Sequence, residues 1–215
     1  MTRAAETQLG ARRSARLQPL PPEHTPELKN EIDSFRQTLG FVPNSVLTMQ
    51  RKPKLVRAFV AMQKAIWDPQ SKVERGFKRL LAHLASRVTG DAYSMAHTAS
   101  GALHFGISEE KLLALPRYAE SDLFSPAEKA AFDVARAASA VPNSVTDTLF
   151  DALRQHWSEE QITEIVAVIA MAGFLARWNG TMLTPLEAEP AAVGKRYLAP
   201  SGWDPGAHLE EAPQS

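Results

Sequence analysis

Ser94, His97, Gly101 and His104 follow one another at three- and four-residue spacings, so on a helix turning about 100° per residue they fall along one stripe. A hydroxyl, an imidazole and a glycine on one stripe can hold a small ligand. An imidazole suits general acid-base work, because its reference pKa of about 6.5 lies near neutrality. Ser94 can orient His97 or donate to a substrate oxygen; the alternative is that both are polar groups satisfied at a helix or subunit interface. Asp91, three residues before Ser94, fits either a catalytic acid or a helix N-cap, and the two roles are compatible. Together His97, Ser94 and Asp91 form the candidate catalytic group. The stretch Gly90 to His97 also has the frame of a redox C-x-x-C-plus-histidine motif, yet the chain contains no cysteine.

Arg79, His83 and Arg87 repeat every four residues on the preceding helical stretch. They read either as a solvated basic face or as an anion-recognition stripe in which Arg79 forks a substrate carboxylate and His83 assists. Trp178 and Asn179 follow a long apolar stretch, as pocket-mouth residues or as a core tryptophan with an asparagine cap. Arg79, His83, Trp178 and Asn179 are therefore the substrate-binding candidates. No H-x-x-x-H or H-E-x-x-H pattern appears, and none of the P-loop, G-x-G-x-x-G or G-x-S-x-G signatures, so the reading is no metal and no cofactor.

These residues must be positioned by helices. Thr25 with Pro26 predicts a helix start that runs through Ile32 and Phe35 to Gly40, and Pro53 begins another. Ser71 opens a segment in which Phe77, Leu80, Leu81, Leu84 and Val88 share a face, closing at Gly90. Asp91 then caps a helix to Gly106. Ser108 starts a short helix that stops before Pro116, Ser125-Pro126 starts one to about Ala140, and Thr146 or Asp147 starts another. Ser158 with Gln161 forms a capping box leading into an apolar helix that ends near Gly180. No run of alternating β-branched residues competes, so the fold class is all-α. The pentapeptide Val-Pro-Asn-Ser-Val occurs at Val42 to Val46 and again at Val141 to Val145 without a continuing register, which points to a shared turn-and-cap solution.

Composition narrows the classes. The 215 residues are 44% hydrophobic and 22% charged, enough for a sizeable core. Twenty-four basic residues balance twenty-four acidic ones, which gives no electrostatic argument for nucleic acid or an anionic membrane. The first twenty residues hold Arg3, Arg12, Arg13 and Arg16 but no signal-like apolar run, and Ile165 to Ala176 is shorter than the roughly 18 to 20 residues of a membrane span. It reads as a core helix, with no membrane partner. The lack of cysteine fits a cytoplasmic protein. Prolines at 19, 21, 22 and 26, then at 185, 190, 200, 205 and 213, divide the chain into an irregular segment 1–24, a helical domain 25–184 and an extended tail 185–215.

With the preceding helix, Gly90 to Gly106 resembles the core motif of the AhpD-like superfamily, which includes the carboxymuconolactone decarboxylases and the peroxidase-related proteins. Asp91 and Ser94 stand where the two cysteines of redox members would be. His97 falls one residue short of the commonest histidine spacing, which Thr98 occupies, and Arg79 stands at the proton-relay glutamate. Ser125-Pro126 with Glu128 and Lys129, Arg177-Trp178-Asn179, Thr184-Pro185-Leu186-Glu187, and Leu198 to His208 are similar to the second half and tail of the peroxidase-related branch. The resemblance covers roughly Phe41 to Pro190. It implies an AhpD-like fold of two packed helical halves and a homo-oligomer, trimer or hexamer. It also implies one of two chemistries: a thiol peroxidase cycle, which a chain without cysteine cannot run, or lyase chemistry on a small lactone or carboxylate without a cofactor. The expectation is the second, with a non-catalytic ligand-binding or scaffold protein as the alternative. Under the third reading, a peroxidase label is inherited from the fold.

Overall fold

The computed structural model describes residues 15–209; Arg3, Arg12, Arg13, Pro213 and the outer parts of both proline-rich ends lie outside the described residues. Ten α-helices follow in order: α1 (Lys29–Leu39), α2 (Asn44–Met49), α3 (Pro53–Ile66), α4 (Arg75–Thr89), α5 (Ala92–His104), α6 (Glu109–Ala114), α7 (Pro126–Ser139), α8 (Asp147–Arg154), α9 (Glu159–Met182) and α10 (Ala188–Val193). No strand occurs among the described residues.

Local sequence explains most boundaries. Ser125 accepts the Glu128 amide while the Glu128 carboxylate accepts the Ser125 amide, and Ser158 and Gln161 close α9 in the same reciprocal way; each box satisfies two amide groups that a helix start leaves open. Thr146 and Ser108 cap α8 and α6. Gly40 and Gly90 end α1 and α4 with φ of 81° and 70°, in the left-handed region where a side chain is strained.

Four expectations change. Thr25 makes no side-chain cap, and Pro26–Leu28 is a 3-10 turn ahead of α1. Helix α4 starts after Glu74 and not at Ser71, because the Ser71 hydroxyl accepts from buried Lys78 at 2.7 Å and is held out of the helix. The two Val-Pro-Asn-Ser-Val copies differ: Pro43-Asn44 enters α2, whereas the second copy is non-helical with a cis Val141–Pro142 bond. The proline-punctuated stretch after Thr184 is not extended but winds through α10 and several short turns against α5, since proline at the first positions of a turn loses no hydrogen bond.

The core has two parts. The larger joins α4, α5, α7 and α9 around Leu80, Leu81, Phe132 and Ile165; the smaller joins the 3-10 turn, α1, α2 and α3 around Leu28, Ile32, Val56 and Phe59. Buried alanines at 82, 85, 96 and 99 let α4 and α5 approach closely. Lys78, wholly buried, pairs with Glu164 at 2.7 Å and donates to the Ile66 carbonyl at 2.9 Å, pinning α4 to α9. Helix α9 is not fully buried: Val166 and Phe174 are exposed, because its apolar residues surround the axis and the chain covers one side of it. By length and composition alone α9 is long and apolar enough to cross a membrane, but a third of that window is packed inside the fold. Val88 is exposed at the end of α4, off the face that buries Leu80 and Leu84.

Candidate active site

A cavity of about 100 Å³ lies in the seam between the two cores. Phe35 and Phe59 wall it from one side, Met171 and Leu175 from α9, and Tyr93, Ser94, His97 and Thr98 from α5. The α4–α5 hairpin thus places the hydroxyl and imidazole of the stripe on the cavity wall, as the helical spacing requires. A wider cleft of about 570 Å³ lies outside and shares Leu39, Arg79 and His97 with the cavity.

The imidazole of His97 has a carboxylate partner. Nε2 lies 2.6 Å from Oε2 of Glu187, and the ring stacks on Tyr93 with centroids 4.4 Å apart. Glu187 Oε1 accepts the Tyr93 hydroxyl at 2.8 Å and the backbone amide of Asn44. Burial acts to raise the Glu187 carboxyl, but the charge and hydrogen bond of His97 and the Asn44 amide outweigh it and hold the carboxyl below the ordinary range. Burial, and then the Glu187 charge, push Tyr93 well above its usual value, so it stays a donor. A carboxylate only accepts, so the neutral imidazole carries its proton on Nε2 and leaves Nδ1 as the basic nitrogen.

Glu187 is delivered by a strap held at both sides. Asn44 Nδ2 donates to the Pro185 carbonyl at 2.9 Å, the Leu186 amide donates to the His208 carbonyl at 2.7 Å, and His208 Nδ1 donates to the Thr184 carbonyl at 2.8 Å. Sequence reasoning gave Glu187 no role in the site; its signal was its place in the Thr184-Pro185-Leu186-Glu187 stretch that resembles the peroxidase-related branch.

The remaining candidates separate into two groups. Asp91 caps α5, its Oδ1 accepting the Ser94 amide at 3.1 Å, and it does not line the cavity. Ser94 Oγ accepts from Asn179 Nδ2 at 3.2 Å, which leaves its own hydroxyl hydrogen for the cavity. Asn179 therefore supports Ser94 from behind and touches no ligand space. Trp178 packs against Phe174 and the smaller core, away from the cavity. His83 is fully buried behind the cavity wall, its Nδ1 3.0 Å from both the Met95 carbonyl and Thr98 Oγ1. Burial and the Arg87 charge push it down to about 4, so it is a neutral core histidine and not part of a basic stripe.

Arg79 does reach the cavity. Its guanidinium lies over the Trp67 ring at 3.8 Å, no carboxylate pairs with it among the described residues, and its Nε is buried without a hydrogen-bond partner. A Cβ on Gly101 would come within 3.0 Å of its Cδ and Nε, so the glycine of the stripe makes room for this side chain. Burial and the neighbouring Arg75 lower Arg79 to about 10, which leaves it charged at neutral pH. The arrangement can thus take a proton at His97, donate from Ser94 and hold negative charge at Arg79.

The model of the carboxymuconolactone decarboxylase family matches residues 53–137, which span α3 to α7 and both site helices. A solved structure of a cysteine-to-alanine variant of the debrominase Bmp8, in complex with 2,3,4-tribromopyrrole, is 34% identical, with 84% of this chain and 96% of that one covered at a TM-score of 0.79. The chain belongs to the carboxymuconolactone decarboxylase family. Its AhpD-like fold is shared with an uncharacterized peroxidase-related protein from Ralstonia eutropha JMP134 (21% identity, TM-score 0.73, 84% and 96% covered). The Bacillus subtilis (strain 168) protein YdfG is 29% identical over 128 residues, 59% of this chain and 84% of that protein. Within this family fold, a carboxylate reaches His97 from the strap after α9.

Proposed function

We propose that this family member is a cysteine-independent enzyme that acts by proton transfer on a small carboxylate or lactone, with His97 as the acid-base group. One observation carries the reading: His97, backed by the Glu187 carboxylate, lines a small cavity that is also lined by Arg79, which has no carboxylate partner among the described residues. Glu187 fixes the tautomer and stabilises the imidazolium that forms when Nδ1 takes a substrate proton. Ser94 and Arg79 stabilise the negative charge left on the substrate, whose developing oxyanion meets donors already in place. If the substrate loses a carboxyl group, carbon dioxide departs with its bond electrons left on carbon, and the imidazolium returns a proton there.

The likeness to Bmp8, an enzyme solved with a small ring compound, supports a small cyclic substrate. A pure scaffold predicts a site filled by side chains, whereas a cavity lined by Ser94, His97 and Arg79 supports a protein that handles a small molecule. A panel of small lactones and carboxylates, assayed with wild-type protein and with His97→Ala, tests the proposal. Loss of about a hundredfold or more in turnover is expected, and unchanged turnover in the variant overturns the assignment.

A further inference from the structure

We infer that the cavity selects a flat five-membered aromatic ring bearing a single negative charge, a pyrrole- or furan-carboxylate in chemical class, with the ring inside and the charge at Arg79. This rests on the reading of the cavity as the reacting site, and it is argued from size, walls and charge.

Size sets the ring. A cavity of about 150 Å³ with apolar walls holds benzene, and this one has about 100 Å³, so a five-membered ring is the natural limit. The walls favour a planar molecule: Phe35, Phe59, Trp67 and Tyr93 present rings, and Val46, Met171 and Leu175 add aliphatic surface. Aromatic faces and edges gain from offset contact with another ring, and a rigid ring loses no rotamer freedom on entry as a flexible chain does.

Charge sets the substituent. Arg79 carries the one guanidinium on the cavity wall, and its neighbours leave it wanting an anion: Trp67 below it, Arg75 repelling from the same helix, and Glu187 already shared by His97, Tyr93 and Asn44. One carboxylate therefore finds a partner. A second would find no further guanidinium or ammonium on the wall, and the Glu187 carboxylate behind His97 opposes it, which is unfavourable for a buried charge. Leu39 and Arg79 also border the outer cleft, so the ligand enters ring first and its carboxylate stays at the partition.

Calorimetric titration of the wild-type protein with pyrrole-2-carboxylate, its uncharged carboxamide, cyclopentanecarboxylate, 2-naphthoate and glutarate tests this directly. Pyrrole-2-carboxylate is expected to bind about ten- to a hundredfold tighter than the carboxamide, the increment of a charge-assisted hydrogen bond. It is also expected to bind better than the non-planar, the oversized and the doubly charged probes, and to lose a similar factor in Arg79→Met. Glutarate or 2-naphthoate binding as tightly overturns the ligand class, and so does an unchanged affinity in Arg79→Met. Because the ligand series needs only wild-type protein, poor folding of the variant does not blunt it. His97→Ala separates the two readings: binding that follows the series without any His97-dependent turnover leaves the ligand class standing and removes the catalytic proposal. His97-dependent turnover of acyclic diacids does the reverse.

Discussion

Glu187 and His97 are ninety residues apart in sequence and 2.6 Å apart in space, carboxylate oxygen to imidazole nitrogen. The catalytic proposal depends on that pair, because it decides which ring nitrogen is basic.

Replacing Glu187 with glutamine should free the tautomer. In ¹⁵N spectra of labelled protein, neutral His97 is expected as the Nε2–H form in the wild type and as a mixture in Glu187→Gln. An unchanged Nε2–H signal would remove Glu187 from its orienting role. The carboxyl is depressed in the folded state, so its stabilisation is full above its unfolded pKa and is lost as pH falls through the folded value. Glu187→Gln should therefore show a shallower loss of stability below about pH 4.5.

His83 makes a second acid-sensitive contribution in a different window. It is held neutral at about 4 in the fold against about 6.5 when unfolded, so the unfolded chain binds the extra proton. Stability is full above about pH 6.5 and declines toward pH 4, by up to about 3 kcal/mol. His83→Asn keeps a donor toward Met95 and Thr98 but cannot titrate. Urea denaturation at pH 7 and pH 4.5 should show a smaller difference for the variant, and an equal difference would exclude His83 as the source.

Gly101→Ala tests how tightly Arg79 is seated. The new methyl meets Cδ and Nε of Arg79 at 3.0 Å, so the guanidinium must shift from Trp67. A stability loss of about 1 to 2 kcal/mol is expected, together with a change in tryptophan emission and weaker binding of pyrrole-2-carboxylate. Wild-type affinity in the variant would show that the arginine has slack.

The exposed side of α9, with Val166, Ala170 and Phe174, is proposed as the self-association surface of a homo-oligomer. Analytical ultracentrifugation should find the wild type assembled and Ala170→Glu dissociated. A monomeric wild type, or an assembled variant, rejects this surface.

How much was legible follows from range in sequence. Helix α7, helix α9 and the α4–α5 turn were readable because Ser125, Ser158, Gly90 and Asp91 act on residues one to four positions away. The stripe that carries Ser94 and His97 was readable for the same reason. His83 was not: the four-residue spacing with Arg79 places both on one face, but only packing shows that α5 covers that face and shuts His83 away from ligand. Trp178 and Asn179 similarly end the expected helix yet turn toward the smaller core and Ser94. Glu187 was least legible, since nothing within ten residues of His97 signals a carboxylate partner.

The strap of residues 184–208 adds a consequence for biogenesis. A chain emerging from the ribosome releases α1 through α9 before it releases Glu187, so the smaller core and the α4, α5, α7 and α9 part of the larger one can assemble while His97 still lacks its carboxylate. Tautomer selection at His97 is deferred until the strap, closed on itself by His208, docks on Asn44. Nascent protein would pass through a largely folded but chemically silent stage, and damage confined to the strap would produce the same silence in a molecule that keeps α1 through α9.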